Sequence, residues 1–194
     1  MEKTDKRAKL IQVGQQIIVK QGFNAAGLTQ ILTTANVPKG SFYYYFSSKD
    51  EFGLAIINSF ADKYQQKLQR ILKEADTPYL KRLRNYFETG IADMNSSQCN
   101  NGCLMGNLAQ ELSAQNELFR DRLSQIFLDW ETMFAECLQS AQQANELDTK
   151  LDARNLAEFI LAGWQGAILQ AKVSKSVEPM ENFVAVLFAR ILAS

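Results

Sequence analysis

Apolar residues recur along the chain with the spacing of amphipathic α-helices. In the first segment, apolar or small residues share one helical face: Leu10, Ile11, Gly14, Ile17 and Ile18. Gly22 follows as the left-handed residue that ends such a helix. Comparable stripes cover residues 28–35, 52–68, 80–94, 104–112 and 119–138. No segment alternates with period two, so the sequence predicts an all-α fold.

The last two predicted helices, within residues 153–172 and 180–193, are apolar on both faces. A helix that is apolar all round is buried all round. We expect their second faces to pack against another subunit in an antiparallel four-helix bundle, which would make the protein a symmetric homodimer. The predicted interface residues are Leu161, Trp164, Ile168, Phe183 and Leu187. The alternative is that both helices lie in the middle of the monomer core.

Composition excludes several classes of protein. The chain has 194 residues, 46% of them hydrophobic and 22% charged, as in ordinary folded domains. It has no histidine, which removes Ser-His-Asp and Cys-His catalysis and histidine-ligated metals, so we expect neither an enzyme nor a cofactor or metal. Three cysteines, an odd number, together with a start that lacks an apolar leader, predict reduced thiols and a cytoplasmic location. No apolar run is long enough to span a membrane.

Charge is balanced overall but not locally. Residues 1–49 hold seven basic and two acidic residues, a net charge of +5, and the remainder therefore carries −5. A basic segment joined to a larger acidic one indicates that the first part faces a polyanion and the second has another task. The alternative is a chance run of solvated lysines.

Residues 28–46 have the pattern of a helix-turn-helix, in which the second helix fits the major groove of DNA. The turn is Asn36-Val37-Pro38. Asn36 tolerates the left-handed conformation, Val37 can point inward, and Pro38 suits the first helical position.

The second helix of this motif carries three consecutive tyrosines. At 100° per residue Phe42 and Phe46 share the core face, and Tyr44 points away from it. Lys39 and Lys49 can neutralise phosphates at the two ends, Gly40 allows close approach, and the helix N-terminus with Ser41 adds a phosphate site. The alternative is a plain aromatic core cluster.

Residues 6–60 resemble the DNA-binding domain of TetR/AcrR-type transcriptional repressors. The matching motifs are Gln21-Gly22-Phe23, Leu28-Thr29-Gln30-Ile31-Leu32, Val37-Pro38-Lys39-Gly40-Ser41-Phe42-Tyr43 and Ser48-Lys49-Asp50-Glu51-Phe52. The resemblance implies a three-helix DNA-binding domain over residues 1–50. It also implies a helical ligand-sensing and dimerisation domain over 51–194, in a repressor that a small-molecule effector releases from a palindromic operator.

The resemblance also implies roles for individual residues. Thr29 and Lys39 flank the groove, Ser41 and Tyr44 read bases, and Tyr43, Tyr45 and Lys49 hold phosphate. Three positions depart from the family pattern: Gly27 replaces a capping Thr, Asn36 a Gly, and Tyr45 a His.

The C-terminal part resembles the electrophile-responsive branch of this family, the type that responds to N-ethylmaleimide. The matching motifs are Gly102-Cys103-Leu104, residues 169–176 and Glu178-Pro179. Cys103 begins a predicted helix, where the dipole and free N–H groups favour a thiolate, and Lys172 is the candidate ammonium near it. Cys99 could resolve an oxidised Cys103. The alternative is that Cys103 is an inert small residue that caps a pocket, since free cysteines are commonly buried.

Reversible ligand binding is the other hypothesis for the effector. Apolar side chains that could line a pocket between helices, or simply fill the core, are Phe87, Met94, Met105, Leu108, Phe127, Trp130 and Phe134. A helical interaction or lipid-binding module would leave the tyrosine run and Lys39-Gly40-Ser41 unexplained. An enzyme with Cys103 as nucleophile would lack a histidine base.

Overall fold

The computed structural model describes residues 3–193, with side chains from residue 6. Of these residues, 77% are helical, and no strand occurs among them, as predicted. The helices are α1 (Lys3–Gln21), α2 (Leu28–Ala35), α3 (Phe42–Tyr45), α4 (Lys49–Leu72), α5 (Tyr79–Ser96), α6 (Leu104–Leu112), α7 (Glu117–Gln143), α8 (Ala153–Ser174) and α9 (Glu178–Val186). A 3₁₀ turn over Lys39–Ser41 leads into α3, and a π-helical turn over Leu187–Ile191 follows α9.

Local chemistry fixes several helix ends. Helix α1 ends where Gly22 takes a φ of +83°, which a residue with a Cβ rarely adopts. Helix α8 begins after Asp152, whose carboxylate accepts the backbone N–H groups of Arg154 and Asn155 at 2.9 and 2.8 Å. It ends at Lys175, which is left-handed with a φ of 56°.

The chain divides into two compact units. The first comprises the chain up to Lys63 together with Cys103–Ser124, and the second comprises Tyr64–Gly102 together with the chain from Gln125 onward. Helix α6 therefore belongs to the same unit as the predicted helix-turn-helix. The predicted boundary at residue 50, between the DNA-binding domain and the ligand-sensing domain, stays a prediction.

An aromatic cluster holds the first unit together. The Phe52 ring lies 5.6 Å from the Phe42 ring and 4.9 Å from the Phe46 ring, and all three are buried. Gly14 of α1 makes room for this cluster, because a Cβ there would come within 2.5 Å of the Phe52 ring. Helix α1 is thereby packed against the start of α4.

The second unit has its own aromatic core. Phe87 lies at its centre, with ring centroids of Trp164 and Phe183 at 4.9 and 5.8 Å. The Trp130 ring contacts Tyr64 at 4.5 Å and Phe127 at 5.5 Å. Of the predicted pocket residues, Phe87, Met94 and Trp130 are buried and Phe127 is half-buried in this unit, while Met105 is buried in the first unit.

Among residues 3–193, no helix is both long enough and apolar enough to cross a membrane.

The predicted interface residues need correction. Leu161, Trp164 and Leu187 are buried by their own chain, with exposed fractions of 2% or less. The Trp164 ring packs on Gly90 of α5, where a Cβ would meet it at 2.7 Å. The alternative that these residues belong to the monomer core is therefore right for these three, whereas Ile168 and Phe183 are half-buried.

Candidate nucleic-acid interface and thiol site

The turn between α2 and the next helical segment has the predicted form. Asn36 is left-handed (φ 54°, ψ 47°), and the Val37 N–H donates to the Leu32 carbonyl at 2.9 Å. The Val37 side chain is buried. Pro38 differs from the prediction because its ψ of 141° is extended, so it precedes the helical residues instead of being the first of them.

The second helical segment exposes two tyrosines side by side. Phe42 and Phe46 are buried, which confirms the predicted core face. Tyr43 and Tyr44 are 66% and 63% exposed, so both point out of the core, whereas the sequence predicted this for at least Tyr44. Tyr45 is half-buried, with its ring 5.2 Å from that of Tyr44.

The residues that flank the tyrosines leave the backbone accessible. Lys39 and Gly40 are exposed, Ser41 is half-buried, and a Cβ at Gly40 would meet nothing within 4 Å. Thr29 is exposed in the first turn of α2. Gly27, in an ordinary extended conformation, takes the N-cap position without a capping side chain.

Lys49 is the first residue of α4, and the residues around it are held by hydrogen bonds. The Ser48 hydroxyl accepts the Glu51 N–H at 3.0 Å, while the Glu51 carboxylate accepts the Ser47 hydroxyl and N–H at 2.6 and 2.7 Å. The hydrogen bond from the Ser47 hydroxyl is the largest cause that holds the pKa of Glu51 below its usual value. The bond from the Ser47 N–H and the positive charge of Arg7 also lower this pKa. The Arg7 guanidinium also lies 5.0 Å from the centroid of the Phe46 ring.

The Lys49 ammonium has partners in its own unit, which the sequence did not indicate. Its Nζ donates to the Asn24 carbonyl at 3.3 Å and lies 4.8 Å from the centroid of the Phe23 ring. Lys49 is half-buried. The lysine is thus held beside the turn that joins α1 to α2.

Cys103 is the residue immediately before α6, as predicted. Its backbone is extended (φ −87°, ψ 119°), and its carbonyl accepts the Asn107 N–H at 2.9 Å. Its side chain is half-buried, whereas Cys99 and Cys137 are buried. Lys172 is half-buried in the last turn of α8, in the second unit.

The other two cysteines occupy different surroundings. Burial raises the pKa of Cys137 to about 11, and its thiol donates to the Tyr79 carbonyl at 3.6 Å. Cys99 takes a left-handed φ of 55° in the loop after α5. That loop is held by Lys175, whose ammonium donates to the Cys99 carbonyl at 3.4 Å and to the Asn100 side chain at 2.8 Å.

An apolar groove of about 630 Å³ runs along α8 and α9. Phe159 and Val186 line it and are 52% and 55% exposed. Gly163 lies under the Phe183 ring, which a Cβ there would approach to 2.5 Å, while a Cβ at Gly166 would meet nothing within 4 Å. The open face of α8 is therefore the one that bears Phe159 and Gly166.

Comparison with known protein families matches both parts of the chain. Residues 10–56 match the family described as bacterial regulatory proteins, tetR family. Residues 80–187 match the tetracyclin repressor-like C-terminal domain.

Individual relatives are similar over nearly their whole length. The HTH-type transcriptional repressor DhaR of Mycobacterium sp. strain GP1 is 34% identical over 194 residues, which cover 100% of this chain and 96% of DhaR. The HTH-type transcriptional repressor NemR of Escherichia coli K12 is 32% identical over 181 residues, covering 93% of this chain and 91% of NemR.

Solved structures agree in fold. The reduced form of E. coli NemR superposes with a TM-score of 0.88 at 32% identity, covering 93% of this chain and 94% of that one. A regulatory protein TetR from Rhodobacter sphaeroides gives a TM-score of 0.88 at 34% identity, covering 92% and 95%.

Proposed function

Because the chain belongs to the TetR family of DNA-binding transcriptional repressors, we propose that it represses from a palindromic operator as a homodimer and that an electrophile acting at Cys103 releases it. Its relatives are regulators, and it is not an enzyme. A repressor acts where chromosomal DNA is, so its compartment is the cytoplasm.

The two exposed tyrosines carry the DNA-binding part of this proposal. Large aromatic side chains that are two-thirds exposed on a short helical segment, beside Lys39 and Gly40, have no role in the core. Ser41 and Tyr44 contact bases, Thr29 and Lys39 flank the groove, and Tyr43, Tyr45 and Lys49 contact phosphate. A tyrosine ring can pack on a thymine methyl, while its hydroxyl can bond phosphate.

Replacing Tyr44 tests this division of roles. We expect Tyr44→Ala to remove the preference for one or two base pairs, about 1–3 kcal/mol each, since a base contact is lost. Tyr43→Ala is the matched control, because Tyr43 is a neighbouring tyrosine of similar exposure and should weaken all sequences alike. The measurement is binding to a set of operators that each differ by one base pair. Uniform loss in both variants would contradict a base-reading Tyr44.

The half-buried position of Cys103 before α6 carries the effector part. A thiolate there is favoured by the helix dipole and the free N–H groups of the first turn. The thiolate sulfur adds to an activated carbon–carbon double bond, a C–S bond forms, and the resulting enolate takes a proton from solvent. Since α6 belongs to the same compact unit as the helix-turn-helix, the adduct forms on the DNA-binding unit itself.

The three cysteines should differ in their reaction with N-ethylmaleimide. Cys137 keeps its proton until the pH approaches its raised pKa of about 11, so at pH 7.5 fewer than about one thiol in a thousand is ionised. We expect Cys103 to be alkylated first at pH 7.5, and modification of Cys137 to increase as the pH rises. Mass spectrometry of peptides after short exposure measures both. Faster alkylation of Cys99 or Cys137 at pH 7.5 would contradict the assignment.

The groove along α8 and α9 supports the dimer. A second copy would cover Phe159 and Val186, and Gly166 permits close approach of the two backbones. A dimer places two recognition segments about 34–36 Å apart, one turn of DNA. Modification at Cys103 shifts the population of the arrangement with this spacing and thereby weakens binding to the operator.

A further inference from the structure

The turn that joins α1 to α2 is bound by a carboxylate from α6. Glu111, in the last turn of α6, accepts the Phe23 N–H at 2.8 Å and the Asn24 N–H at 2.7 Å. Gly22 leaves space for this carboxylate, because a Cβ there would come within 2.8 Å of its oxygen. Both N–H groups lie just beyond the end of α1, where the backbone has no helical partner for them.

The same two residues are also contacted by Lys49. Its ammonium donates to the Asn24 carbonyl and lies against the Phe23 ring. Asn24 is therefore held at its N–H by Glu111 and at its carbonyl by Lys49. The Phe23 ring is also fixed by an edge contact with Phe119, at 5.1 Å between centroids.

We propose that Glu111 is a positioning residue for the contact between Lys49 and DNA phosphate. Two charge-assisted hydrogen bonds fix the peptide groups of Phe23 and Asn24, and these supply the carbonyl and the ring that orient the lysine. Without Glu111 the turn moves, and Lys49 loses the support that directs it to the phosphate. This inference rests on the proposed phosphate contact of Lys49.

The position of Glu111 connects the lysine to the thiol site. Cys103 immediately precedes α6 and Glu111 lies in its last turn, eight residues later, or about 12 Å along a rigid helix. A displacement of α6 that starts at Cys103 reaches Lys49 through Glu111. Loss of a phosphate contact is then one way in which modification weakens operator binding.

Salt dependence of operator affinity tests the proposal, because its slope reports the number of phosphates that are neutralised. We expect Lys49→Gln to reduce the slope of log K against log salt concentration by about one per protomer bound to DNA. Glu111→Gln should reduce it by at least half as much, but should cause no further reduction in the Lys49→Gln background. A general loss of stability would not alter the slope in this manner.

Glu146→Gln is the matched control. Glu146 accepts two consecutive backbone N–H groups, those of Tyr79 and Leu80, and its replacement removes the same charge in the second unit. The salt-dependence slope of Glu146→Gln should equal that of the wild type. Glu111→Asp keeps the charge with a shorter reach and should also reduce the slope, which provides a second variant if Glu111→Gln does not fold.

The outcomes separate the two proposals. An unchanged slope in Lys49→Gln would contradict the proposed phosphate contact of Lys49, and the inference about Glu111 would fail with it. A reduced slope in Lys49→Gln with an unchanged slope in folded Glu111→Gln and Glu111→Asp would overturn the inference alone. Equal reductions by Glu111→Gln in both backgrounds, or by Glu146→Gln, would also overturn it.

Discussion

A Gly166→Glu substitution is expected to give folded monomers that bind the operator about 10²- to 10⁴-fold more weakly than the wild-type protein. Gly166 lies on the open face of α8, and a Cβ there meets nothing within 4 Å, so the chain itself can accept the side chain. In the proposed dimer the same position faces a second apolar surface, where an unpaired carboxylate is costly. A monomer holds one recognition segment and loses the gain from binding two half-sites together.

Sedimentation and operator titration measure this effect. Gln139→Glu adds the same charge at an exposed position of α7, away from the groove, and should leave both the dimer and the affinity unchanged. A Gly166→Glu protein that sediments as a dimer and binds normally would place the interface on another surface.

Trp164→Ala is expected to lower the free energy of unfolding by about 3–5 kcal/mol, because it leaves a cavity in the core of the chain. Trp164 is 1% exposed and contacts Phe87, Phe183 and the backbone at Gly90. Urea denaturation measures the change. Leu128→Ala, which shortens a half-exposed apolar side chain of α7, is the control and should stay within about 0.5 kcal/mol of the wild type.

The two substitutions distinguish the interface proposed along α8 and α9 from the one expected from sequence. If Trp164 lay between subunits, its replacement would yield a stable monomer, and this outcome would contradict its place in the core. The core position predicts instead a less stable protein whose monomers, once folded, still present the groove along α8 and α9.

Local features of the fold could be predicted because short-range chemistry determines them. The left-handed turn at Asn36 follows from the tolerance of asparagine for that conformation, and the core face of Phe42 and Phe46 follows from helical spacing. The position of Cys103 before α6 followed from Gly102 and the leucine stripe after it.

Other features depend on contacts between distant residues. Periodicity showed that α8 has two apolar faces, but not that its own chain covers the face with Leu161 and Trp164. Glu111 gave no signal, since its partners lie 88 and 87 residues earlier in the chain. The sequence around Lys49 likewise did not indicate the contact between its ammonium and the Asn24 carbonyl, which lies 25 residues earlier.

Release of the protein from operator DNA by N-ethylmaleimide is the most direct test of the central claim. The DNA is the region upstream of the protein's own gene, and the wild type is titrated beside Cys103→Ser and Cys137→Ser. We expect the wild type and Cys137→Ser to bind and then to dissociate as the reagent is added, while Cys103→Ser stays bound. Release of Cys103→Ser at the same reagent concentration, or no release of the wild type, would contradict a thiol switch at Cys103 and favour a reversible ligand as the effector.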